Sequence, residues 1–454
     1  MSDLRRYNDA FNAALAMLNP EQKRVVKRIE GPLLAIAGPG SGKTHMLAAR
    51  VGQILLNTDT PAQAVLCLTF TDAGVTAMRR RLLAMLGPEA YRIPIFTFHG
   101  FCNRVIQDNP ERFGSTGLEP LSDLERAGMI RQLLEELPPD NPLRAQRKDP
   151  YAFAPHLGEL LQTMKAQNWK PGDLRREADR FVRTLPDKPE YQYRVNSRYG
   201  RKGQPKEIAI AEMAEKMERL KAAADLYPRF QTLLEKAGRY EFDDMLQWVL
   251  RAFEKYPALL RNYQERYLYF LVDEYQDTNG AQHELLRRLI AYSDKPNICV
   301  VGDDDQCIYE FQGARLQNIL QFYADYRDEL FVEVLRDNYR SGGLILQAAE
   351  RLIAHSTLRM AGEIESGIEK TQRAVRGPGR EPRLLRYPDR TAEWAGTLAQ
   401  IEALIAAGIP PDDIAVIYAK HRQGEPFRRL LEARGIPVQT KRPTDALNTP
   451  LIGH

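Results

Sequence analysis

The chain has 454 residues, 43% of them hydrophobic and 27% charged, and a formal net charge of +4. That is room for roughly two to four soluble domains with buried cores, and too little charge to announce a polyanionic partner by itself. No run of about 18 apolar residues occurs, and the opening MSDLRRYNDAFNAALAML mixes acids with bases, so membrane insertion and secretion are not expected and a cytoplasmic protein is.

The first informative segment is PLLAI (32–36), an apolar strand-like run, followed by AGPGSGKT (37–44) and the helix-like HMLAARVGQILL. Strand, glycine-rich turn and helix in this order form a phosphate-binding loop. Ala37 stands where the pattern has its first glycine, and Gly38, Gly40 and Gly42, with Ser41 between them, let successive N–H groups turn toward phosphate oxygens. Lys43 is expected to neutralise the outer phosphates and Thr44 to give its hydroxyl to Mg²⁺, at the positive end of the following helix. The expected ligand is a nucleoside triphosphate with Mg²⁺.

Further along, AVLCLTF and PIFTF read as strands separated by helical sequence, as LLAIAG does before them. Between about Cys102 and Tyr240 the alternation gives way to helical patterns such as LERAGMIRQLLEEL and EIAIAEMAEKMERLKAAADLYPRFQTLLEKAG. YLYFLVDE, NICVVGD and LFVEVL then resume it, and after a Pro/Gly/Arg stretch, RAVRGPGREP (373–382), PRLLRY, DIAVIYA and IPVQT continue it. The fold class expected is α/β, a parallel sheet interrupted by a helical insertion. The division drawn from the sequence is 1–101 and 240–334 for the first α/β domain, 102–239 for the insertion, and 335–454 for a second, partial α/β domain. Cys67, Cys102, Cys299 and Cys307 show no CxxC spacing and no neighbouring His pair, so neither zinc nor a disulfide framework is expected.

Inside the insertion, between Lys165 and Lys206, twelve Lys and Arg face five Asp and Glu, interleaved with Trp169, Phe181, Tyr191, Tyr193 and Tyr199. Two readings stay open, a solvated helical face with a flexible arm, which is the commoner case, and a basic, aromatic surface for nucleic acid.

Two acidic clusters end strand-like runs. In VDEYQD (272–277), Asp273 is placed to hold Mg²⁺ opposite Thr44 and Glu274 to polarise the attacking water as general base. In VVGDDDQCIYEFQGA (300–314), the three aspartates call for cation or donor partners, and Gln306 is a neutral amide suited to sensing a γ-phosphate. Phe311 is read either as a base-stacking ring or as core.

With LNPEQ (18–22), LTFTDAGVTAM (68–78), FTFHGF (96–101), FDDML (242–246) and LRDNYRS (335–341), these segments come in the order and spacing of UvrD/Rep/PcrA-like superfamily 1 DNA helicases. The resemblance implies RecA-like P-loop NTPase architecture, ATP as the nucleotide, and single-stranded DNA and single-strand/duplex junctions as partners. It implies that Gln22 reads the adenine edge, that Tyr339 stacks on the base, and that Arg340 is an arginine finger. It also places Phe70, Thr71, Thr97, Phe98, His99 and Phe311 on DNA, while Asp243 and Asp244 match a motif without an assigned role.

The chain departs from the family pattern at Asp72-Ala73-Gly74-Val75, where a cation is lost and an acid gained, at Gln312 and at His45. It also stops at His454 before the family's later motifs, and LNTPLIGH has no terminating character, so a fragment of a longer product is expected. The leading reading is an ATP-dependent 3′ to 5′ DNA helicase in repair or recombination. A truncated binding module and a piece of a helicase-nuclease subunit are the alternatives.

Overall fold

The computed structural model of the chain describes residues 2–114, 117–144, 149–196, 198–307, 316–355 and 370–440. Two compact units are present, Met1–Arg380 and Glu381–His454. The first opens with α1 (Ser2–Ala16) and α2 (Pro20–Lys27). Asn19 caps α2 reciprocally with Gln22: Gln22 N donates to Asn19 Oδ1 at 2.8 Å and Asn19 N donates to Gln22 Oε1 at 3.0 Å.

Strands and helices then alternate: β1 (Leu33–Ala37), α3 (Lys43–Asn57), β2 (Val65–Thr69), α4 (Asp72–Leu86), β3 (Ile95–Thr97) and α5 (Phe98–Asp108). The short α6 (Pro110–Phe113) and β4 (Glu119–Pro120) lead into the insertion, α7 (Asp123–Glu135), α8 (Ala154–Ala166), α9 (Pro171–Thr184), α10 (Glu207–Ala224) and α11 (Tyr227–Ala237). β5 (Arg239–Tyr240) pairs with β4 and closes it. After it come α12 (Phe242–Lys255), α13 (Pro257–Arg266), β6 (Tyr269–Val272), α14 (Gly280–Ile290), β7 (Ile298–Gly302), α15 (Leu316–Tyr326) and β8 (Phe331–Leu335). β9 (Asp337–Asn338), α16 (Gly343–Ile353) and β10 (Arg373–Ala374) complete the described elements of the unit.

Six strands form one sheet in the order β3-β2-β6-β7-β1-β8, every pair parallel. The inner strands are buried at every position, and all but wholly apolar, because both faces are covered. Leu34, Ile36, Leu66, Leu68, Phe270 and Val300 point into the core beneath α5, α12 and α14. Leu33, Ala35, Val65, Cys67, Leu271 and Val301 alternate with them and fill the opposite core with α1 to α4. Parallel strands bring all their C-terminal ends to one edge of the sheet, where ligands of open α/β folds bind. That edge carries the glycine-rich turn after β1, Phe70 after β2, Thr97 at the end of β3, Asp273 after β6 and Asp303 after β7. The fold is the expected α/β, RecA-like one with a helical insertion.

The insertion has its own core of Ile130, Leu133, Leu157, Leu161, Phe230 and Leu234. A buried charge cluster ties it to α12. Lys165, with no exposed surface, pairs with Asp244 at 2.7 Å and also with Glu241, and its ammonium lies 5.4 Å from the centre of the Phe230 ring. Burial pushes the Asp244 carboxyl up against the pull of Lys165. Removing either partner would strand a buried charge, which fixes the seating of the insertion on the sheet domain. This gives Asp244 of the FDDML motif a structural role.

The sequence boundary at 334/335 falls inside the first unit. β9 pairs with β10, and Asn338 reaches back to the turn after β1, which joins both short strands to the first sheet's unit. In the second unit, helices Arg390–Ala406 and His421–Ala433 enclose Leu398, Ile401, Phe427 and Leu431. PRLLRY, DIAVIYA and IPVQT were expected as strands, and none of their described residues is assigned to one. A strand needs a partner ladder as well as β-branched residues, and here Leu384 is 82% and Ile417 94% exposed. Among the described residues no helix is long and apolar enough to cross a membrane.

Candidate nucleotide site

The turn between β1 and α3 is shaped by two left-handed glycines, Gly40 and Gly42, both at φ +80°. Its carbonyls are engaged one after another. Ser41 Oγ donates to Gly38 O at 2.7 Å, Asn338 Nδ2 to Pro39 O at 2.6 Å, Tyr339 N to Gly40 O at 2.9 Å and Gln22 Nε2 to Ser41 O at 2.7 Å. With the carbonyls turned outward, the N–H groups of Gly40, Gly42, Lys43 and Thr44 find no acceptor among the described residues. Successive unpaired N–H groups at the start of α3 make an anion-binding nest. A side chain at Gly40 would have its Cβ 2.6 Å from Arg340 Cβ, so only glycine lets the Tyr339-Arg340 segment lie against the turn. Ala37 ends β1, fully buried, and contributes shape only.

Lys43 is the first residue of α3, and its Nζ lies 2.6 Å from Glu274 Oε2. Glu274 follows β6 and takes a left-handed backbone, φ 51°, which costs a non-glycine residue on the order of 1 kcal/mol. That backbone turns its carboxylate back to Lys43. Beside it Asp273 is 8% exposed, and burial together with the Glu274 charge raises its carboxyl to about 6, against the pull of Lys43. Asp277 has the same two causes and the same value, about 6, and its buried Oδ1 finds no partner among the described residues. Among the described residues no group of three or more acidic, His or Cys side chains is arranged to hold a metal ion. Folded values above the usual 3.8 stabilise the fold fully below about pH 4, and that contribution is lost as pH rises through about 6.

A polar chain joins this corner to the end of β7. Gln276, 1% exposed, donates from Nε2 to Glu274 Oε2 at 2.7 Å and accepts from Asp303 N at 3.1 Å. Gln306 Nε2 in turn donates to Asp303 Oδ2 at 2.8 Å. The cation that the three aspartates call for is Lys370, 3.2 Å from Asp303 Oδ1, 3.6 Å from Asp305 Oδ2 and in contact with Asp304. Next to it, the Gln372 amide sits directly on Gly38, and Asn338 Nδ2 donates to Gln372 Oε1 at 2.7 Å. A cavity of about 670 Å³ opens on this side of the turn, lined by Gly38, Asp303, Gln306, Leu346, Lys370 and Gln372.

The structure thus gathers Gln22, Ser41, Lys43, Asp273, Glu274, Tyr339 and Arg340 around one turn. Thr44, half-buried, makes no side-chain hydrogen bond among the described residues. Gln22 is 3% exposed and braces the turn, each end of its amide making one hydrogen bond, with Asn19 and with Ser41, which leaves one N–H and one lone pair of the amide over. Arg340 is exposed and, among the described residues, held by its backbone, with its N donating to Asn338 Oδ1 at 2.9 Å.

Of the residues expected on DNA, Thr71 and Thr97 spend their hydroxyls capping helices, each accepting at 3.0 Å, from Gly74 N and Gly100 N. Phe70 is half-buried, and His99 lies 3.3 Å from Asp243 Oδ1 through its Nε2. Phe98 is a correction. It starts α5 facing inward, is 2% exposed, and belongs to the sheet core, so it cannot touch a strand. Phe311 lies outside the described residues.

Residues 18–327 match the UvrD/REP helicase N-terminal domain, and residues 334–452 the UvrD-like helicase C-terminal domain. The chain belongs to the UvrD/Rep helicase family. Among its relatives is an ATP-dependent DNA helicase PcrA of Staphylococcus epidermidis, 32% identical over 350 residues, which covers 77% of this chain and 41% of that protein. The PcrA of Staphylococcus aureus is 31% identical over the same coverage. The chain spans about two fifths of the length of these curated relatives.

Set within a UvrD/Rep family chain, four residues around the turn went unread in the sequence. Gln276 and Asp277 sit inside VDEYQD, yet their neighbours' charges drew the reading. Asn338 precedes the Tyr-Arg pair, and one amide holds Pro39, Gln372 and two backbone N–H groups. Lys370 carries no local signal at all.

Proposed function

We propose that this chain binds ATP with Mg²⁺ at the turn between β1 and α3, and that its hydrolysis drives movement along single-stranded DNA as in an ATP-dependent DNA helicase. The observation that carries the reading is the outward-held carbonyls of residues 38–41, which leave a nest of N–H groups against Lys43 and Glu274. Lys43 would neutralise the outer phosphates, the N–H groups of Gly40 and Gly42 would hold their oxygens, and Tyr339 would cover the base.

Asp273, buried after β6, and the Thr44 hydroxyl would be the protein ligands of a divalent cation, and since the described residues hold no cluster of three or more acidic, His or Cys side chains for a metal, the rest of its shell would not come from such side chains. Mg²⁺ commonly takes one or two carboxylates and completes its shell with phosphates and water. When bound, it supplies charge neutralisation at the phosphates. Glu274 would take the proton of the attacking water, with Lys43 released from it by the phosphates. Gln306, joined to Glu274 through Asp303 and Gln276, would register the terminal phosphate, and Arg340 would meet the charge that develops there. On the same sheet edge, Phe70 and His99 would face the strand, so closure around nucleotide and grip on DNA share one set of strand ends.

Movement from 3′ to 5′, action at single-strand/duplex junctions, a role in repair or recombination and a cytoplasmic location belong to this proposal and rest on the family. Duplexes carrying either a 3′ or a 5′ single-stranded tail test it. ATP-dependent release of the labelled strand from the 3′-tailed substrate alone is expected, and release from neither, with single-strand binding intact, would reduce the chain to a binding module.

A further inference from the structure

Lys370 lies shortly before β10, and its ammonium reaches the acidic turn that follows β7. The Asp303 carboxylate stands between this cation and Gln306 and divides its oxygens between them. Oδ1 is 3.2 Å from Lys370 Nζ and accepts from Asp305 N at 3.2 Å, while Oδ2 accepts from Gln306 Nε2 at 2.8 Å. Gln306 N donates to Asp303 O at 3.0 Å as well, which closes the short turn Asp304–Gln306. The turn is therefore wound around one carboxylate, with Lys370 against it. The Lys370 side chain is 8% exposed, and Asp303 and Asp304 are buried. Carboxylates gathered in such a place keep their charge only beside a cation, and one that loses it takes a proton or turns toward solvent. Either change would loosen the hold of Asp303 on Gln306.

The residues after Lys370 are tied down one by one. Thr371 Oγ1 donates to Glu350 Oε1 at 3.1 Å, Gln372 Oε1 accepts from Asn338 Nδ2, and Arg373 pairs with Asp337 at 3.0 Å and with Glu21 at 2.9 Å. β10 runs beside β9 in the register Arg373 to Asp337 and Ala374 to Asn338, directly before Tyr339 and Arg340. The cation on the acidic turn and the segment that presents Arg340 thus belong to one short ladder. Gln306 spends one amide N–H on Asp303 and makes no other side-chain hydrogen bond among the described residues, so its second N–H is left for a partner. We infer that Lys370 is a positioning residue for ATP hydrolysis: through Asp303 it fixes the direction in which Gln306 meets the terminal phosphate, and through β10 it couples that direction to the placement of Arg340. The inference rests on the proposed reaction and on Gln306 as the group that registers the phosphate.

The test is steady-state ATP hydrolysis by the full chain with single-stranded DNA, beside equilibrium binding of a fluorescent ATP analogue, for Lys370→Met, Gln306→Ala and the two combined. Methionine keeps the buried stem and removes the charge. Lys370→Met is expected to lower kcat about 10- to 100-fold, the span in which outer partners that orient a reacting group act, with analogue binding changed far less. The combined variant is expected to fall no more than about twofold below Gln306→Ala, because residues that act through one another lose their effects together. Since Lys370→Met leaves buried acids unbalanced, the same cycle is run on Lys370→Met/Asp304→Asn, which restores the net charge of the cluster and should show the same loss in kcat. Losses that multiply when Gln306→Ala is added, an unchanged kcat in Lys370→Met/Asp304→Asn, or a Gln306→Ala variant as fast as the unaltered chain each overturn this inference and leave the hydrolysis reading standing. Absence of hydrolysis in the unaltered chain overturns that reading, and the inference with it.

Discussion

Arg340→Ala is expected to lower the rate of ATP hydrolysis by about 10³- to 10⁵-fold, the range over which an arginine finger acts, with nucleotide affinity changed far less. The fold should survive the change. What seats this residue is its backbone, through Arg340 N to Asn338 Oδ1 and the close approach of its Cβ to Gly40, and alanine keeps both. The guanidinium makes no ion pair among the described residues, so its loss strands no buried charge. Arg340→Lys should recover little, because an ammonium cannot reproduce the planar fork of donors. Single-turnover hydrolysis beside binding of a fluorescent ATP analogue is the measurement. A rate within a few fold of the unaltered chain would remove Arg340 from the reacting centre.

Glu274→Gln is expected to cut turnover by about 10²- to 10⁴-fold, the usual contribution of a positioned general base. Nucleotide binding should hold or strengthen. Glutamine ends the 2.6 Å ion pair with Lys43, freeing that ammonium for phosphate. It also removes the like charge that helps raise Asp273 to about 6, so Asp273 should ionise at lower pH and meet its cation more readily. Lys43→Ala should do the reverse, weakening binding itself and leaving Asp273, Glu274 and Asp277 without their counter-charge. The pair of variants therefore separates binding from chemistry, read by equilibrium titration and steady-state turnover. Retained turnover in Glu274→Gln would refute the base assignment, and unweakened ATP binding in Lys43→Ala would refute the phosphate contact.

The sheet was legible because its strands are continuous apolar runs, and a parallel strand covered on both faces shows that pattern without help from distant residues. The same rule failed in the second unit. DIAVIYA has the composition of a strand, but composition does not supply a neighbour, and its Ile417 lies almost wholly exposed. At the site, the glycine-rich turn and the acids after β6 were readable because their chemistry is local, set by a few adjacent residues.

What escaped was contact between distant segments. Three aspartates in a row announced that a cation was needed, but Lys370 lies far along the chain from Asp303 and nothing around it marks it out. Gln22 was assigned to a base by its motif, and that its amide also ties the cap at Asn19 to the carbonyl of Ser41 was not visible there. Phe98 was grouped with His99 as a DNA contact. Helix α5 begins at that residue, and the first turn sends one side chain into the core and leaves the other at the surface. The basic stretch of the insertion stays between its two readings: Arg175, Arg176, Arg180, Arg219 and Lys221 have acids, whereas Arg183, Lys216 and the cations of residues 188–206 have no ion pair among the described residues.

The central claim is that the nest before α3, with Lys43, Glu274 and Arg340, hydrolyses ATP in response to DNA held on the same sheet edge. ATP turnover by the 454-residue chain, with and without single-stranded DNA and with Lys43→Ala as the blank, tests it most directly. Marked stimulation by single-stranded DNA, absent from the blank, is the predicted result. ATP binding with no turnover beyond the blank, with DNA or without it, would contradict the account.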